Sequence, residues 1–542
     1  MALHTRIALT TPATSTSAPT TSLGTILYSG PVPPTQGIWL GVEWDDPARG
    51  KHDGMYEKTS VRYFHCRIKG AGSFLRPNAP GLSYGTSFLA ALHSKYLDDG
   101  SSTKEGEGEE STFYATSSNF EVEVVPLARI RERFKQLNRV REVGLEWEGV
   151  SGAGSTEERE EVRKELGSIE VLNLSYSLLP SLQAVDEVIV DLRKLRTLSL
   201  NSNRFAPLRE PTLLAGFERL TTLNLNRTLM DWNELLLLSP SLPELQELQL
   251  GDNELASLSA ETSPTEPLLP SLKTLNLDTN KLTNWDEIVA SLLPLPSLDR
   301  LILSRNSIST VPLSPSSATL NLRYLSLTAN ALASWSSVDA LNSQVPNLEG
   351  LWIGENPLFE GLHEGDVRLE IIARVKGLRE LEGSRISPTE REDAEQWYLS
   401  RIGKSPASEL EKEELHPRWK ELVEKYGVST KPTEKKSTAM KARLIQLKIT
   451  LDDSFLPSTT TTTSPLSLSV LPTLRTLLLR TQIARLVGKP VPKTQWSLVA
   501  VLKSAEEGEE GLRVEIPATE EGREVSWWGL NEGDEVKVER RG

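Results

Sequence analysis

The chain has 542 residues, 38% of them hydrophobic and 25% charged, with a formal net charge of −14 and one cysteine. At about 100–200 residues per domain that length exceeds a single small domain, and the acidic balance argues against a general nucleic-acid binder. A lone Cys66 excludes an internal disulfide framework and a cysteine-based zinc finger, and the longest aliphatic clusters, such as Leu235–Leu238, fall far short of the roughly 18 apolar residues of a membrane span.

The charge is unevenly spread. Residues 1–80 hold eight basic side chains (Arg6, Arg49, Lys51, Lys58, Arg62, Arg67, Lys69, Arg76) and five acidic ones, so this segment is +3 and the remainder −17. Thr5–Leu9 and Thr25–Ser29 are predicted as strands, with the Thr/Ser/Ala/Pro-rich residues 10–22 as a polar loop between them. That stretch lacks the arginine of a transit peptide. Short alternating runs then follow at Gly37–Asp45, Tyr63–Cys66 and Gly72–Pro77, separated by glycine-rich turns. The pattern describes a small antiparallel β-domain. Lys51 lies in the loop Gly50-Lys51-His52-Asp53-Gly54, whose glycines permit positive φ and a close approach of another backbone.

Over about residues 3–80 this arrangement resembles a CAP-Gly domain, a family that grips acidic C-terminal tails ending in an aromatic residue, as on α-tubulin. The resemblance implies that Lys51 meets the tail carboxylates, that Gly50 and Gly54 shape the loop, and that Trp39, Phe64 and Phe74 line the groove. Trp44, His52, Asp53 and Arg76 complete the implied set. For Trp39, Trp44, Phe64 and Phe74 a place in the core of so small a domain stays equally open. His52 stands where the family's usual Gly-Lys-Asn-Asp-Gly loop has asparagine; imidazole can also donate a hydrogen bond.

Between the first two modules, Gly85–Leu97 is predicted as a short amphipathic helix, Asp98–Ser111 as an acidic disordered insertion, Phe120–Val125 as a strand and Arg129–Arg141 as a basic helix. From about residue 169 to 358 a Leu-x-x-Leu-x-Leu-x-x-Asn template recurs, starting at Leu195, Leu220, Leu245, Leu272, Leu298, Leu322 and Leu348. Successive spacings of 25, 25, 27, 26, 24 and 26 residues lie in the range of leucine-rich repeats. Each copy supplies one short strand that cannot bury its leucines without neighbours. The terminal asparagines are predicted to be buried against backbone groups, with Ser177 and Thr228 standing in for asparagine in two weaker copies. Trp232, Trp285 and Trp335 recur at one phase after the strand and are predicted to anchor convex helices. The outward positions Thr197, Ser199, Asn224, Asn226, Glu247, Gln249, Thr274, Asn276, Asp278, Tyr324, Ser326 and Trp352 form a concave, mostly polar face of the kind that binds protein.

Ser387-Pro388-Thr389-Glu390 reads as a helix start in a terminal cap. A charged helix near Ser408 and the isolated His416 belong to a connector. Beyond it, strands at Lys441–Leu451 and Leu466–Val470 joined by a Thr459–Thr463 turn, a helix within Leu471–Val487, and strands at Ser497–Leu502, Leu512–Ile516 and Glu535–Glu539 resemble a ubiquitin-like β-grasp domain. The expected fold class is therefore multidomain. It comprises a CAP-Gly domain (1–82), a connector with helices (83–165), an α/β leucine-rich-repeat solenoid with its cap (166–400), a helical linker (401–437) and a ubiquitin-like domain (438–542).

No catalytic pattern emerges. The six histidines lack metal-ligand spacing, and Gly403-Lys404-Ser405 has Tyr398 where a P-loop needs its first glycine. Neither an enzyme activity nor a cofactor or metal is expected. The order of the modules resembles the tubulin-folding cofactor E family. That resemblance implies a cytoplasmic, cytoskeleton-associated chaperone that captures α-tubulin and acts with a β-tubulin-carrying cofactor and others in assembling or dissociating the αβ heterodimer. Nucleic acid and membrane are not expected partners. The alternatives are a microtubule plus-end adaptor using the same groove, and a ubiquitin-pathway adaptor that reaches the proteasome through the C-terminal domain.

Overall fold

In the computed structural model of the chain, the described residues are 3–12, 18–57, 59–96, 139–260, 267–313, 319–427, 445–451, 466–487, 496–502, 512–517, 520, 522–531 and 533–540. They divide into two compact units, Met1–Gly427 and Val428–Gly542.

The first unit opens with β1 (Arg6–Thr11), β2 (Thr20–Pro31), β3 (Ile38–Trp44), the short hairpin β4 (Met55–Tyr56) and β5 (Val61–Arg62), then β6 (Gly72–Leu75) and β7 (Leu82–Ser83). Five of these form one sheet in the order β6-β3-β2-β1-β7, closed over Ile7, Leu9, Ile26, Leu40, Val42 and Trp44. The expected loop 10–22 is shorter than the composition suggested. β1 and β2 pair from Arg6↔Thr25 out to Thr11↔Thr20, and the hydroxyls of Thr10 and Thr21 meet at 3.0 Å. β-branched threonines fit a pleated hairpin as readily as a turn. Arg6, counted among the basic surplus, is buried and bidentate to Asp45 at 2.6 Å through both nitrogens.

The repeat array is capped at its N-terminal end by residues that read as a connector. β8 (Thr86–Ser87) leads into α1 (Phe88–Tyr96); after the undescribed stretch come β9 (Glu142–Gly144), β10 (Val150–Gly152) and α2 (Thr156–Glu165). Phe88, Leu89, Leu92, Val143, Leu145, Val150 and Val162 share the core of the repeats. The acidic insertion, the strand expected at 120–125 and all but the last three residues of the basic helix lie outside the described residues.

The repeat strands follow: β11 (Val171–Asn173), β12 (Thr197–Ser199), β13 (Thr222–Asn224), β14 (Glu247–Gln249), β15 (Thr274–Asn276), β16 (Arg300–Ile302), β17 (Tyr324–Ser326), β18 (Gly350–Trp352) and β19 (Glu380–Leu381). They stack in parallel with β9 before them, and β20 (Ser384–Arg385) turns back to end the eleven-stranded sheet. Leu172, Leu198, Leu223, Leu248, Leu275, Leu301, Leu325 and Leu351 pair strand to strand in one fully buried row.

Each ladder asparagine joins two coils. Asn306 Nδ2 donates to Leu303 O in its own coil and Leu277 O in the preceding one, both at 3.0 Å. Its Oδ1 accepts the Leu282 N–H at 3.0 Å. The two weak copies keep the contact with a hydroxyl, since Ser177 Oγ and Thr228 Oγ1 donate to Asn203 and Asn253 at 2.8 and 3.0 Å. On the convex side lie α3 (Leu182–Ile189), α4 (Trp232–Leu238), α5 (Trp285–Leu292) and α6 (Trp335–Gln344). The three tryptophans open the last three of these helices and pack onto the core, as their common phase predicted.

At the far end come α7 (Glu364–Arg374), α8 (Pro388–Gly403), α9 (Glu409–Leu415) and α10 (Trp419–Tyr426). Ser387 caps α8 as expected, its Oγ accepting the Glu390 N–H at 3.1 Å. Residues 401–427, expected to link, are folded onto the array instead. Trp419 and Leu422 join Ala373, Tyr398 and Ile402 in a second buried cluster, and buried Arg418 meets Glu395 at 2.9 Å. His416 takes part in this closure. Arg374 can only donate, so Nδ1 of His416 accepts at 3.2 Å, shared with the Tyr398 hydroxyl at 2.9 Å.

The second unit holds β21 (Ile445–Leu451), β22 (Leu466–Val470), α11 (Thr476–Val487), β23 (Trp496–Leu502), β24 (Leu512–Ile516) and β25 (Glu535–Arg540). Its sheet order is β22-β21-β25-β23-β24, with β25 in the centre parallel to β21. Leu479 and Ile483 of the helix pack on Leu447, Ile449, Leu498, Val536 and Val538. The expected threonine turn lies outside the described residues.

Two measurements check these contacts. Asn306→Ala strands a buried N–H and two carbonyls, so the urea midpoint should fall by the equivalent of about 2–4 kcal/mol; an unchanged midpoint would refute the stapling role. Burial first, then Arg374 and Arg401, lower the His416 pKa to about 4, below the roughly 6.5 of an unfolded imidazole. Between about pH 6.5 and 4 the unfolded chain therefore binds a proton that the folded one refuses, and stability declines as pH falls through that window. His416→Asn should show a shallower loss than the parent over the same range in parallel thermal melts.

Candidate functional site

Strand parity decides which side chains of β3 can form a groove. Successive residues face opposite sides of a sheet, and Leu40, Val42 and Trp44 turn into the core. Trp39 and Gly41 take the other face. There Phe64 lies directly over Gly41, where an added Cβ would come within 2.4 Å of its ring. Phe64 is only 5% exposed, so it forms a floor. Above it, Phe74 of β6 is the hub of an aromatic cluster. Its ring centroid is 4.9 Å from His52, 5.6 Å from Phe64, 5.7 Å from Tyr63, 6.2 Å from Tyr56 and 6.5 Å from Trp39. Tyr28, opposite Gly41 on β2, extends the row to Tyr63 at 5.1 Å.

The glycine-flanked loop is clamped beside this cluster. Lys51 and His52 donate their amides to Gly72 O at 2.8 and 3.1 Å, and Gly72 N returns a bond to His52 O at 2.6 Å. Only glycine fits at either end: a Cβ on Gly50 would lie 2.0 Å from Gly70 O, and Gly54 has φ +95° with its Cβ position 1.9 Å from Phe64 O. His52 completes the turn, since its Nδ1 accepts the Gly54 N–H at 3.1 Å. Burial holds its pKa below the ordinary value, with Asp53 and Glu57 opposing and Lys51 assisting. A neutral ring that accepts at Nδ1 carries its proton on Nε2.

The basic surplus is mostly engaged. Arg62 bonds Asp53 O at 2.6 Å and its carboxylate at 3.1 Å, a contact that lowers the Asp53 pKa. Arg49 lies 4.3 Å over Trp44, while Arg76 lies 3.8 Å over Trp39 and donates to Gln36 O. Arg67 reaches Leu229 O of the array at 3.4 Å. Lys51 is exposed and joins no ion pair among the described residues. An aromatic groove with one free ammonium at its rim is suited to a short segment bearing a carboxylate and an aromatic ring.

Residues 13–80 match the CAP-Gly domain family. Over a much longer span, tubulin-specific chaperone E of Bos taurus is 34% identical across 424 residues, which cover 74% of this chain and 77% of that protein. The Homo sapiens protein of the same name is 34% identical over 423 residues, with the same shares covered. Tubulin-folding cofactor E of Arabidopsis thaliana is 30% identical over 420 residues, covering 75% of this chain and 76% of its own length. The chain belongs to the tubulin-specific chaperone E family.

In this member of the chaperone E family, the structure brings Trp39, Gly50, Lys51, His52, Gly54, Phe64 and Phe74 together, with Arg76 stacked on the outer wall. Trp44 is a correction: it is 2% exposed and lies on the core face of β3, so no ligand in the groove can touch it. Asp53 serves the loop through Arg62. Tyr28, Tyr56 and Tyr63 were missed; Tyr28 is the register partner of Gly41 on β2, whereas Tyr56 and Tyr63 come from the hairpin β4–β5 and the residue after it. Among the described residues no group of three or more His, Cys, Asp or Glu is placed to hold a metal ion, and no helix is long and apolar enough to cross a membrane. Burial pushes the Cys66 thiol up to about 12, far from a reactive thiolate.

An asparagine can accept the Gly54 N–H as imidazole does. Amide hydrogen exchange at Gly54 should therefore stay slow in His52→Asn and quicken by about tenfold in His52→Ala, and equal protection in both variants would remove the capping role.

Proposed function

We propose that this chain is a tubulin-folding chaperone that holds α-tubulin by its acidic C-terminal tail. Together with a β-tubulin-carrying cofactor it would assemble or dissociate the αβ heterodimer. The reading rests on family membership for the client, since the relatives are named for tubulin. For the mode of capture it rests on one observation, the unpaired Lys51 beside the aromatic cluster around Phe74. In this reading the terminal aromatic ring of the tail packs against Phe74 and Trp39, Lys51 meets the carboxylates, and the Nε2–H of His52 donates to a tail oxygen. The groove and the repeat array then act as linked contacts. Tethering raises the effective concentration of the second, so neither contact has to be tight alone.

The module boundaries follow the same reading, with the groove in 1–82, the repeats and their cap in 166–400 and a ubiquitin-like β-grasp domain in 438–542. Support for the last is the β22-β21-β25-β23-β24 order with one helix packed across it. The outward positions of that sheet include Lys448, Arg513, Glu515, Lys537 and Glu539, which suits a polar contact.

Lys51→Ala in the full chain should weaken binding of an α-tubulin tail peptide about two- to fivefold near 0.15 M salt, the scale of one exposed ion pair. The loss should grow at low salt, where screening is weaker. Titration calorimetry at two ionic strengths checks this, and an affinity indifferent to the substitution at both would overturn the assigned role of Lys51. Co-sedimentation with polymer set against size exclusion with free dimer separates the chaperone from a plus-end adaptor, which would bind polymer alone.

A further inference from the structure

We propose that the concave face of the array carries a second docking site, centred on Arg300, Tyr324 and Trp352, for a carboxylate-bearing surface on the folded body of a protein client. The inference rests on the reading of tubulin as that client.

Most of the concave face is occupied with itself. Asn224 donates to Ser199 Oγ at 2.9 Å, Asn276 to Gln249 Oε1 at 2.5 Å, and the Ser304 and Ser326 hydroxyls meet at 2.6 Å. Small polar groups paired in this way leave little for a partner to gain. The exception lies on three adjacent strands, β16, β17 and β18. The Arg300 guanidinium sits 4.2 Å from the Tyr324 ring centroid and 5.5 Å from that of Trp352. Gly350, the register partner of Tyr324, makes the seat: a Cβ there would come within 2.6 Å of the tyrosine ring and 3.4 Å of the tryptophan. A glycine inside a strand costs stability, and here it marks a position where large side chains must lie close.

Charge identifies the occupant. Three carboxylates near the cluster are taken by other arginines: Asp299 is bidentate to Arg323 at 2.6 and 2.8 Å, Asp278 pairs with Arg305, and Glu349 lies 3.5 Å from Arg379; Glu380, the register partner of Gly350, joins no ion pair among the described residues. Arg300 joins no ion pair among the described residues. A guanidinium stacked by its face on aromatic rings keeps its in-plane N–H donors for a planar anion. Arginine, tyrosine and tryptophan are also the residue types that dominate the energetics of protein interfaces. A cationic donor set against two aromatic rings fits an acidic protein surface.

The test uses the full chain, an α-tubulin tail peptide, intact tubulin, and tubulin whose C-terminal tails have been removed by protease. The expected result is that the parent chain retains binding to tailless tubulin. Arg300→Glu and Trp352→Ala should each weaken that binding roughly tenfold or more and leave peptide affinity and thermal midpoint unchanged. Thr197→Arg, which adds bulk at the other end of the face, should bind as the parent does. Parental binding by Arg300→Glu overturns the site, as does an equal loss in Thr197→Arg, which would mean a diffuse contact. Binding of the parent to intact but not tailless tubulin also overturns it, while sparing the tail groove. If the parent binds neither form, the tubulin reading itself fails and the site loses its client. A change in self-association of Arg300→Glu without a change in tubulin binding would assign the face to a second copy of this chain and reject the proposal.

Discussion

A single coil of the array leaves its central leucine uncovered and its terminal asparagine with part of its amide unpaired; both are fully satisfied only when another coil stacks beside it. The leucine row excludes water between neighbours, and the asparagine amide spans two coils with bonds that are buried on every side. Because a buried amide without partners costs more than a made bond contributes, the register of one coil dictates that of the next. The elements at both ends of the array are built on this stack. Its open ends need covers, which explains why α1 and α2 at one end, and α7 to α10 at the other, are drawn onto the array.

The aromatic groove obeys a different constraint, the two-residue period of a strand. Trp39 and Trp44 lie five positions apart on β3, so one faces the groove and the other the core. The loop carrying Lys51 is then held by backbone bonds to Gly72 and by the imidazole of His52. These contacts leave the ammonium of Lys51 free while most of the neighbouring arginines are engaged. Five of the other cations of residues 1–80, Arg6, Arg49, Arg62, Arg67 and Arg76, are instead engaged by Asp45, Trp44, Asp53, the array and Trp39.

Features with a short period were legible in the residues. The leucine repeat, the asparagine positions, the phase of Trp232, Trp285 and Trp335, the cap at Ser387 and the strand and helix order after residue 444 each repeat or bound a local pattern, and local pattern is what backbone geometry reads. Features that depend on the partner of a segment were not legible. Thr10, Thr11, Thr20, Thr21 and Ser22 are hairpin strand because threonines find threonines opposite them. Phe88 and Leu92, like Trp419 and Leu422, look like parts of connectors until the end of a solenoid is there to receive them. Tyr28, Tyr56 and Tyr63 carry no motif; Tyr28 enters the groove as the register partner of Gly41, and Tyr56 and Tyr63 from the short hairpin β4–β5 and the residue after it.

The residues alone determined that the chain is modular, that its middle is a leucine-rich solenoid, and that a glycine-flanked lysine stands among aromatics, since spacing and composition express these directly. Only the tertiary structure decided which cations stay free, which tryptophan faces the groove, and that Arg300, Tyr324 and Trp352 meet on the concave face. Their sequence separations of 24 and 28 residues become neighbouring positions because each turn of the solenoid returns the chain to the same face, one strand further along.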